Sequence, residues 1–158
     1  MVPRLAGVEL SHGELASRLV LGTVASALVF FVYYFIPASL AAFASKFIPA
    51  NAADKVLPSL VNPAMPILGL FLTLLVFLSV LLGGSRLHGP IVVLDGACVF
   101  AYTILLFQGG TISVTLPREM LQGLGVYLQI DLTVLMLVFL VYPVLTVIKG
   151  VFLTLKRG

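Results

Sequence analysis

Residues 67–82 read ILGLFLTLLVFLSVLL, and this stretch decides the fold class of the chain. It carries no charge, and Thr73 and Ser79 are its only polar side chains. A helix that crosses a bilayer needs roughly 20 mostly apolar residues, with a lower limit of about 17. The stretch is close to that limit, and it passes the limit when the neighbouring Pro66 and Gly83 are included. It is therefore predicted to be a membrane-spanning helix.

Three further apolar stretches lie on either side of this one, at residues 18–36, 91–107 and 128–148. Each is long enough to cross a bilayer as a helix. The sequence thus predicts an all-α membrane protein in which residues 1–158 form one four-helix transmembrane domain. Residues 38–66, which contain four prolines, are expected to form a short amphipathic or irregular segment on the outer side.

The composition agrees with this class and excludes several others. Charged residues make up 9% of the chain, against roughly 25% in soluble domains, and the mean hydropathy is +1.20. The connecting segments are too short for a separate soluble domain, which needs about 40 residues. Cys98 is the only cysteine, which excludes an intrachain disulfide and a paired redox centre. The few basic residues form no stripe, so nucleic acid is not an expected partner.

The distribution of Lys and Arg predicts an orientation. If the N-terminus is inside, six basic residues face the cytoplasm and three face outwards. The inner set is Arg4, Arg18, Arg86, Lys149, Lys156 and Arg157, and the outer set is Lys46, Lys55 and Arg118. Because cytoplasmic loops carry the excess of Lys and Arg, both termini are predicted to be cytoplasmic in a protein of the cell membrane.

The first helix has a recognisable start and a candidate packing face. Ser11 and Glu14 have the spacing of a capping box, which predicts a helix beginning near Ser11. Gly22 and Ser26 lie four residues apart and form a small-xxx-small pattern, which allows another helix to approach closely. After Pro37, residues 38–47 either extend this helix or lie along the membrane interface.

The region after the third span has the pattern of a strand. Residues 111–116 alternate hydroxyl and aliphatic side chains, but no second strand is apparent in the sequence. Two interpretations remain: the segment pairs with a neighbouring subunit, or it is an extended loop on the outer rim. The second is favoured.

Asp95 and Asp131 are the principal candidates for chemistry. A carboxylate near the centre of a membrane helix costs about 2.5 to 3.5 kcal/mol, so such residues are functional candidates. Each lies about four residues, or roughly 6 Å, inside its predicted span. A structural carboxylate at the membrane rim is the alternative to a role in an ion or proton pathway. The two aspartates are expected near opposite faces, so they cannot form one catalytic pair.

Other chemical sites are not predicted. His12 and His88 lie outside the spans, which excludes transmembrane haem ligation by two histidines. The sequence shows no nucleophile–base pair and no cluster of metal ligands. No catalytic residue, metal or cofactor is therefore expected, and the protein is not expected to be an enzyme.

Two functional hypotheses remain. The first is a homo-oligomeric channel or transport protein with a narrow, cation-selective pathway. That pathway would be lined by the polar side chains Asp95, Tyr102, Thr103 and Gln108, together with Asp131. The second is a non-catalytic accessory subunit that packs in the lipid bilayer against other membrane subunits.

Overall fold

The computed structural model of the chain describes residues 4–5, 8–9, 11–47, 62–116 and 126–157. This part of the protein is mostly helical and contains four helices that are long and apolar enough to cross a membrane. Their spans are His12–Leu40, Ala64–Leu81, His88–Leu106 and Thr133–Lys156. The prediction of four long apolar helices is confirmed.

The elements follow one another in a simple order. Strands β1 (Arg4–Leu5) and β2 (Val8–Glu9) form a short antiparallel pair ahead of the helices. The remaining elements are α1 (His12–Phe30), a π-helical segment (Phe31–Phe35), α2 (Ile36–Phe47), α3 (Ala64–Leu81), α4 (His88–Leu106), a 3₁₀ turn (Gln108–Gly110), β3 (Thr111–Leu116), β4 (Val126–Asp131) and α5 (Thr133–Arg157).

The first of the two hydrogen bonds of the predicted capping box is present at the start of α1. The Ser11 side chain accepts a hydrogen bond from the backbone N–H of Glu14 at 3.2 Å. The Glu14 carboxylate pairs with Arg18 at 2.9 Å, one helical turn further along. Arg18 also donates to the backbone carbonyl of Gly83. This side chain therefore ties the start of α1 to the turn that follows α3.

The first helix continues past Pro37, which decides between the two alternatives for residues 38–47. The chain widens into π-helical turns just before the proline, and the backbone N–H of Ile36 donates to the carbonyl of Phe31. Proline has no N–H and disturbs the regular helical ladder, and one wide turn absorbs that disturbance. The rest of the predicted outer segment, residues 48–61, lies outside the described residues.

A β-hairpin between α4 and α5 corrects two predictions. Strand β3 pairs antiparallel with β4 of the same chain, from Thr111 opposite Asp131 to Leu116 opposite Val126. The segment is therefore neither an unpaired loop nor a strand that needs another subunit. The fourth long helix accordingly starts at Thr133, so Asp131 lies on a strand and outside that helix.

The reason for this difference lies in the residues that open and close the hairpin. Gly109 and Gly110 have positive φ angles of 74° and 106°, which turn the chain out of α4. The backbone N–H of Leu132 then donates to the carbonyl of Gly110 at 2.6 Å, which brings the end of β4 back to the end of α4. Apolar and polar residues alternate at 128–131, but this pattern is short beside the long apolar run that follows.

The long helices pack in chain order. Extended contact joins α1 to α3, α3 to α4 and α4 to α5. A core of Met65, Leu72, Val99 and Tyr102 fills the junction of α3 and α4, and Tyr33 of the π-helical segment packs against it. Many of the large apolar side chains on α1 and α5 point outwards and are exposed. The helices therefore form an open row, and α1 and α5 are its two outer members.

The seam between α4 and α5 is closed by glycines. A Cβ atom at Gly89 would lie 2.6 Å from the backbone nitrogen of Thr154, and one at Gly96 would lie 2.9 Å from that of Val147. On the opposite helix, a Cβ at Gly150 would lie 2.7 Å from the backbone nitrogen of Val93. These spacings leave no room for a side chain, so the two backbones are in direct contact.

Candidate functional site: a carboxylate beside a lateral cleft

A cleft of about 350 Å³ opens between α2, which continues the first long helix, and α5. Ile36 and Leu40 of α2 form one wall, and Phe139 of α5 contributes to the other. Tyr102 and Leu106 of α4 line the cleft between these walls. Leu40, Leu106 and Phe139 are 57%, 45% and 55% exposed, so the cleft opens sideways from the row of helices.

The floor of the cleft holds a hydrogen bond to a carbonyl group that Pro37 leaves without its usual helical donor. In a regular helix the carbonyl of Tyr33 would accept from the N–H of residue 37, but Pro37 has none. The hydroxyl group of Tyr102 donates to this carbonyl at 3.2 Å. The rings of the two tyrosines meet edge to face, with centroids 4.8 Å apart. Gly69 of α3 packs against the same peptide group, where a Cβ would lie 2.7 Å from the Tyr33 carbonyl carbon.

Asp95 lies deeper than the sequence indicates. Helix α4 begins at His88, so Asp95 is the eighth of its 19 residues and lies about 10 Å from its start. The predicted span began at Ile91 because Gly89 and Pro90 suggested a turn. Proline is accepted in the first turn of a helix, where the N–H groups have no helical partner.

Asp95 also shares a helix face with the residues of the cleft. Tyr102 and Leu106 follow it by seven and eleven residues, which are close to whole numbers of helical turns. Asp95 therefore lies on the same face of α4 as Tyr102 and Leu106, about two turns before Tyr102, and it is not one of the residues that line the cleft.

One oxygen of the Asp95 carboxylate lacks a hydrogen-bond partner. Its Oδ1 atom is buried and accepts no hydrogen bond from any residue in the described part of the chain, although the residue as a whole is half-buried. Buried polar atoms in proteins nearly always have a partner, and an exception calls for an explanation. An unfilled carboxylate oxygen can accept a proton or pair with a cation.

The other predicted pathway residues fall into different environments. Thr103 lines the cleft and is buried, and its hydroxyl donates to the Val99 carbonyl at 2.8 Å within the same helix. Gln108 lies beyond the end of α4 with a φ of 50° and lines a separate cavity, also of about 350 Å³, with Asn62 and Leu105. The structure therefore groups Asp95, Tyr102 and Thr103 on α4 and separates Gln108 from them.

Asp131 has a local role at the start of α5. Its side chain is exposed, and its Oδ1 accepts a hydrogen bond from the backbone N–H of Thr133 at 2.9 Å. This bond, with a second from the Thr133 side chain, lowers the pKa of Asp131 below the usual 3.8. The carboxylate thus satisfies a backbone donor at the start of α5, and Asp131 is not one of the residues that line the cleft.

The predicted packing residues, Gly22 and Ser26, lie on α1 and do not line the cleft. Gly22 is buried, and a Cβ there would meet the ring of Phe77 on α3 at 3.2 Å. Ser26 is half-buried, and its hydroxyl donates to the Thr23 carbonyl at 3.1 Å. Gly22 thus faces α3, whereas the Ser26 hydroxyl is bonded within its own helix.

The sequence does not mark Tyr33 as a site residue, because it is one of several aromatic residues at the end of the first span, where an interfacial band is expected. Pro37 could have signalled the carbonyl of Tyr33, since a proline always leaves the carbonyl four residues before it without its helical donor. Nothing in the sequence pairs that carbonyl with Tyr102. Within the described ranges, no group of three or more His, Cys, Asp or Glu side chains is placed to hold a metal ion.

No known protein family, curated protein or solved structure matches this chain.

Proposed function

We propose that this protein is a homo-oligomeric membrane transport protein that moves protons or other cations past Asp95, along the cleft between the outer helices. The observation that carries the proposal is the buried Oδ1 atom of Asp95. It lies about 10 Å inside a membrane-length helix and has no hydrogen-bond partner among the described residues.

The energetics favour a binding role for this carboxylate over a structural one. An Asp residue at the centre of a membrane helix raises the free energy of membrane insertion by about 2.5 to 3.5 kcal/mol. A structural carboxylate recovers part of that cost through hydrogen bonds, as Asp131 does at the start of α5. Asp95 has an oxygen that recovers none, so this oxygen is available to a transported ion.

The pathway proposed from the structure lies within each protomer. Tyr102 lines the cleft between α2 and α5, and Asp95 lies two turns before it on the same face of α4. The opposite side of α4 exposes the small residues Ala97 and Ala101, four apart, which suit close contact with a helix of another copy. We therefore place the contact between copies on this face, which leaves the cleft open in each protomer.

The proposed orientation keeps both termini in the cytoplasm. Arg18 contacts the turn after α3, Arg86 lies in the connection between α3 and α4, and Lys156 lies at the end of α5 near the start of α4. These basic residues thus collect at one end of the row, opposite the β-hairpin. Such an excess of positive charge is typical of the cytoplasmic side.

The test is cation flux into lipid vesicles that contain the purified protein. A potassium gradient with valinomycin sets a negative interior, and an internal pH dye and a sodium dye report uptake. Asp95→Asn preserves the size of the side chain and removes its charge, so we expect it to lower the flux at least tenfold. Asp131→Asn is the matched control and should keep the wild-type rate. Equal flux in wild type and Asp95→Asn would contradict the proposal.

One observation favours the accessory-subunit alternative. The row of helices is open between α1 and α5, and its walls are apolar, as a site for a helix of a partner protein would be. Native mass spectrometry of the protein, extracted from its own membrane in polymer nanodiscs, separates the two proposals. A symmetric homo-oligomer supports the transport protein, and foreign subunits in fixed ratio support the accessory role.

A further inference from the structure

We propose that α2 is a hinged arm, which swings at the π-helical segment and closes the cleft against α5. The structure shows the arm away from α5, with the cleft open between them. This inference goes beyond the proposed function and does not depend on it, since it concerns a movement of the first long helix and not what the protein transports. Three observations support it: the break in the helix, the fixed position of that break and the sparse packing beyond it.

The first observation is a break in the helical hydrogen-bond ladder. The backbone N–H of Ile36 donates to the carbonyl of Phe31, five residues earlier instead of four. Pro37 has no N–H and therefore cannot bond the carbonyl of Tyr33. Two successive bonds of the regular ladder are thus replaced or missing. Sharp bends in helices almost always occur at a proline or at π turns, and here the two coincide.

The second observation is that the peptide group at the break is fixed to two other helices. The Tyr102 hydroxyl donates to the Tyr33 carbonyl at 3.2 Å, which joins the break to α4. A Cβ at Gly69 would lie 2.7 Å from the carbonyl carbon of Tyr33, so the backbone of α3 contacts the same group. A hinge is a few residues that absorb the change in backbone angles while the elements on either side stay rigid. These contacts hold the α1 side of the hinge in place.

The third observation is that α2 packs sparsely beyond the hinge. Among the residues described, Pro37 is the last buried one of the first long helix, and Leu40 is 57% exposed. The hydroxyls of Ser39 and Ser45 donate to carbonyls within α2, at 2.9 and 2.8 Å. In the described part of the chain, α1 packs along α3, whereas α2 touches α3 only slightly. The arm can therefore move without breaking a close-packed interface.

The opposite wall of the cleft is fixed, so a change in the width of the cleft must come from α2. The start of α5 is tied to the end of α4, because the Leu132 N–H donates to the Gly110 carbonyl at 2.6 Å. Farther along α5, the Val147 backbone nitrogen lies 2.9 Å from where a Cβ at Gly96 would be. Helix α5 is thus held to α4 at both places.

The size of the movement follows from the length of the arm. Helix α2 has 12 residues and is therefore about 18 Å long. Sharp kinks exceed about 20°, and a rotation by that angle moves the far end of α2 by roughly 6 Å. Turned towards α5, the arm brings Leu40 against Phe139, so the cleft is filled by the side chains of its own walls.

The experiment measures distances between spin labels by double electron–electron resonance. Cys98→Ala removes the only native cysteine, and the full-length protein is held in lipid nanodiscs. One labelled pair, Ser45→Cys with Val134→Cys, joins the exposed surfaces of α2 and α5 beyond the hinge. The control pair, Val24→Cys with Leu155→Cys, joins the same two long helices before the hinge. An excess of unlabelled protein suppresses distances between copies.

The expected result is two populations for the pair beyond the hinge, with mean distances about 6 Å apart, and one narrow population for the control pair. Pro37→Ala supplies the missing N–H and should reduce the first pair to one population. Pro37→Ser repeats this test with another side chain. Pro66→Ala is the matched control, because Pro66 lies in the first turn of α3, where N–H groups have no helical partner. It should keep both populations, and thermal melting verifies that each variant folds.

The outcomes are decisive for the hinge and separate it from the transport proposal. Two populations that the Pro37 variants reduce to one support it. A single narrow population beyond the hinge in wild type, or an equal spread in both pairs, overturns it. Two populations that the Pro37 variants leave unchanged also overturn it, because fraying of α2 would spread the distances without bending at the proline. A moving arm in a protein without cation flux leaves this inference standing and the transport proposal not.

Discussion

Helix α5 has two contrasting neighbours: α4, which it contacts backbone to backbone, and α2, from which the cleft separates it. At the α4 seam, Gly89 and Gly96 allow the backbones to touch. At the cleft, the facing side chains are large, and Phe139 is still 55% exposed. The comparison shows that in this protein the distance between helices is decided by the size of the residues on the facing surfaces.

For the proposed location in a membrane, the physical reason lies in what drives helices together in lipid. Apolar side chains gain little by leaving hydrocarbon, so association depends on van der Waals packing and hydrogen bonds. Glycines permit the closest approach and hence the most packing. Helix α2, across the cleft from α5, contains no glycine, and no hydrogen bond between α2 and α5 is found among the described residues. The seam is expected to be the rigid part and the cleft the adaptable part.

The largest expected effect comes from inserting a methyl group into the seam. In Gly89→Ala, the new Cβ would lie 2.6 Å from the Thr154 backbone nitrogen, and a backbone atom cannot move aside as a side chain can. Overpacking of this kind costs about 1 to 3 kcal/mol. We expect a clearly lower melting temperature in detergent micelles, and a similar loss for Gly96→Ala.

The control for these variants is Gly13→Ala, since nothing lies within 4 Å of a Cβ at that position. It should melt at or slightly above the wild-type temperature, because alanine favours the helix more than glycine does. Equal melting of Gly89→Ala and Gly13→Ala would show that α4 and α5 are not in backbone contact.

A smaller effect is expected on the cleft side, from the bond between Tyr102 and the Tyr33 carbonyl. Tyr102→Phe removes the donor, and hydrogen bonds between membrane helices contribute about 0.6 kcal/mol on average. Pro37→Ala supplies an N–H group that can donate to the same carbonyl. The loss caused by Tyr102→Phe should therefore be smaller in the Pro37→Ala background than in wild type.

A double-mutant cycle measures this difference from the free energies of unfolding of the four proteins. A coupling energy of zero would mean that the Tyr102 hydroxyl does not compensate for the proline. Tyr34→Phe is a useful control, since Tyr34 lies beside Tyr33 in the same π-helical segment. It should show no coupling to Pro37→Ala.

The smallest effect is expected at Asp131, outside both interfaces. Its pKa is lowered in the folded protein by hydrogen bonds from the Thr133 backbone and side chain, so the carboxylate form is favoured by folding. The resulting stabilisation is complete above the unfolded-state pKa near 3.8 and is lost as the pH falls through the lower folded-state value. Melting temperatures between pH 7 and pH 2.5 should show this loss, and Asp131→Asn should reduce it. If the melting temperature falls equally in wild type and Asp131→Asn as the pH is lowered, the hydrogen bonds from Thr133 do not stabilise the Asp131 carboxylate.

The elements were predictable to different degrees for identifiable reasons. Long apolar runs predicted the four helices, because length and hydropathy act over many residues at once. Strand β4 was missed because its alternation is brief and merges with the apolar run of α5. The start of α4 was placed late because Gly89 and Pro90 resemble a turn. Both differences concern short segments whose structure depends on distant partners.

The residues of the candidate site were also predictable from the sequence to different degrees. Asp95 was identifiable from the sequence, since a charged residue inside an apolar run is costly wherever the run folds. Its depth depended on where α4 begins, and the direction it faces depended on packing. Asp131 was identified by the same criterion, but the hairpin moves it out of the helix.

Local composition is sufficient to predict that four long apolar helices form and that one of them carries an aspartate. The carbonyl that Tyr102 satisfies, the glycines that meet a backbone and the side on which a cleft remains are visible only in the folded chain. These contacts join residues that are far apart in the chain. Apolar side chains of similar hydropathy predict burial in lipid equally well, and only their three-dimensional fit selects the partner of each helix.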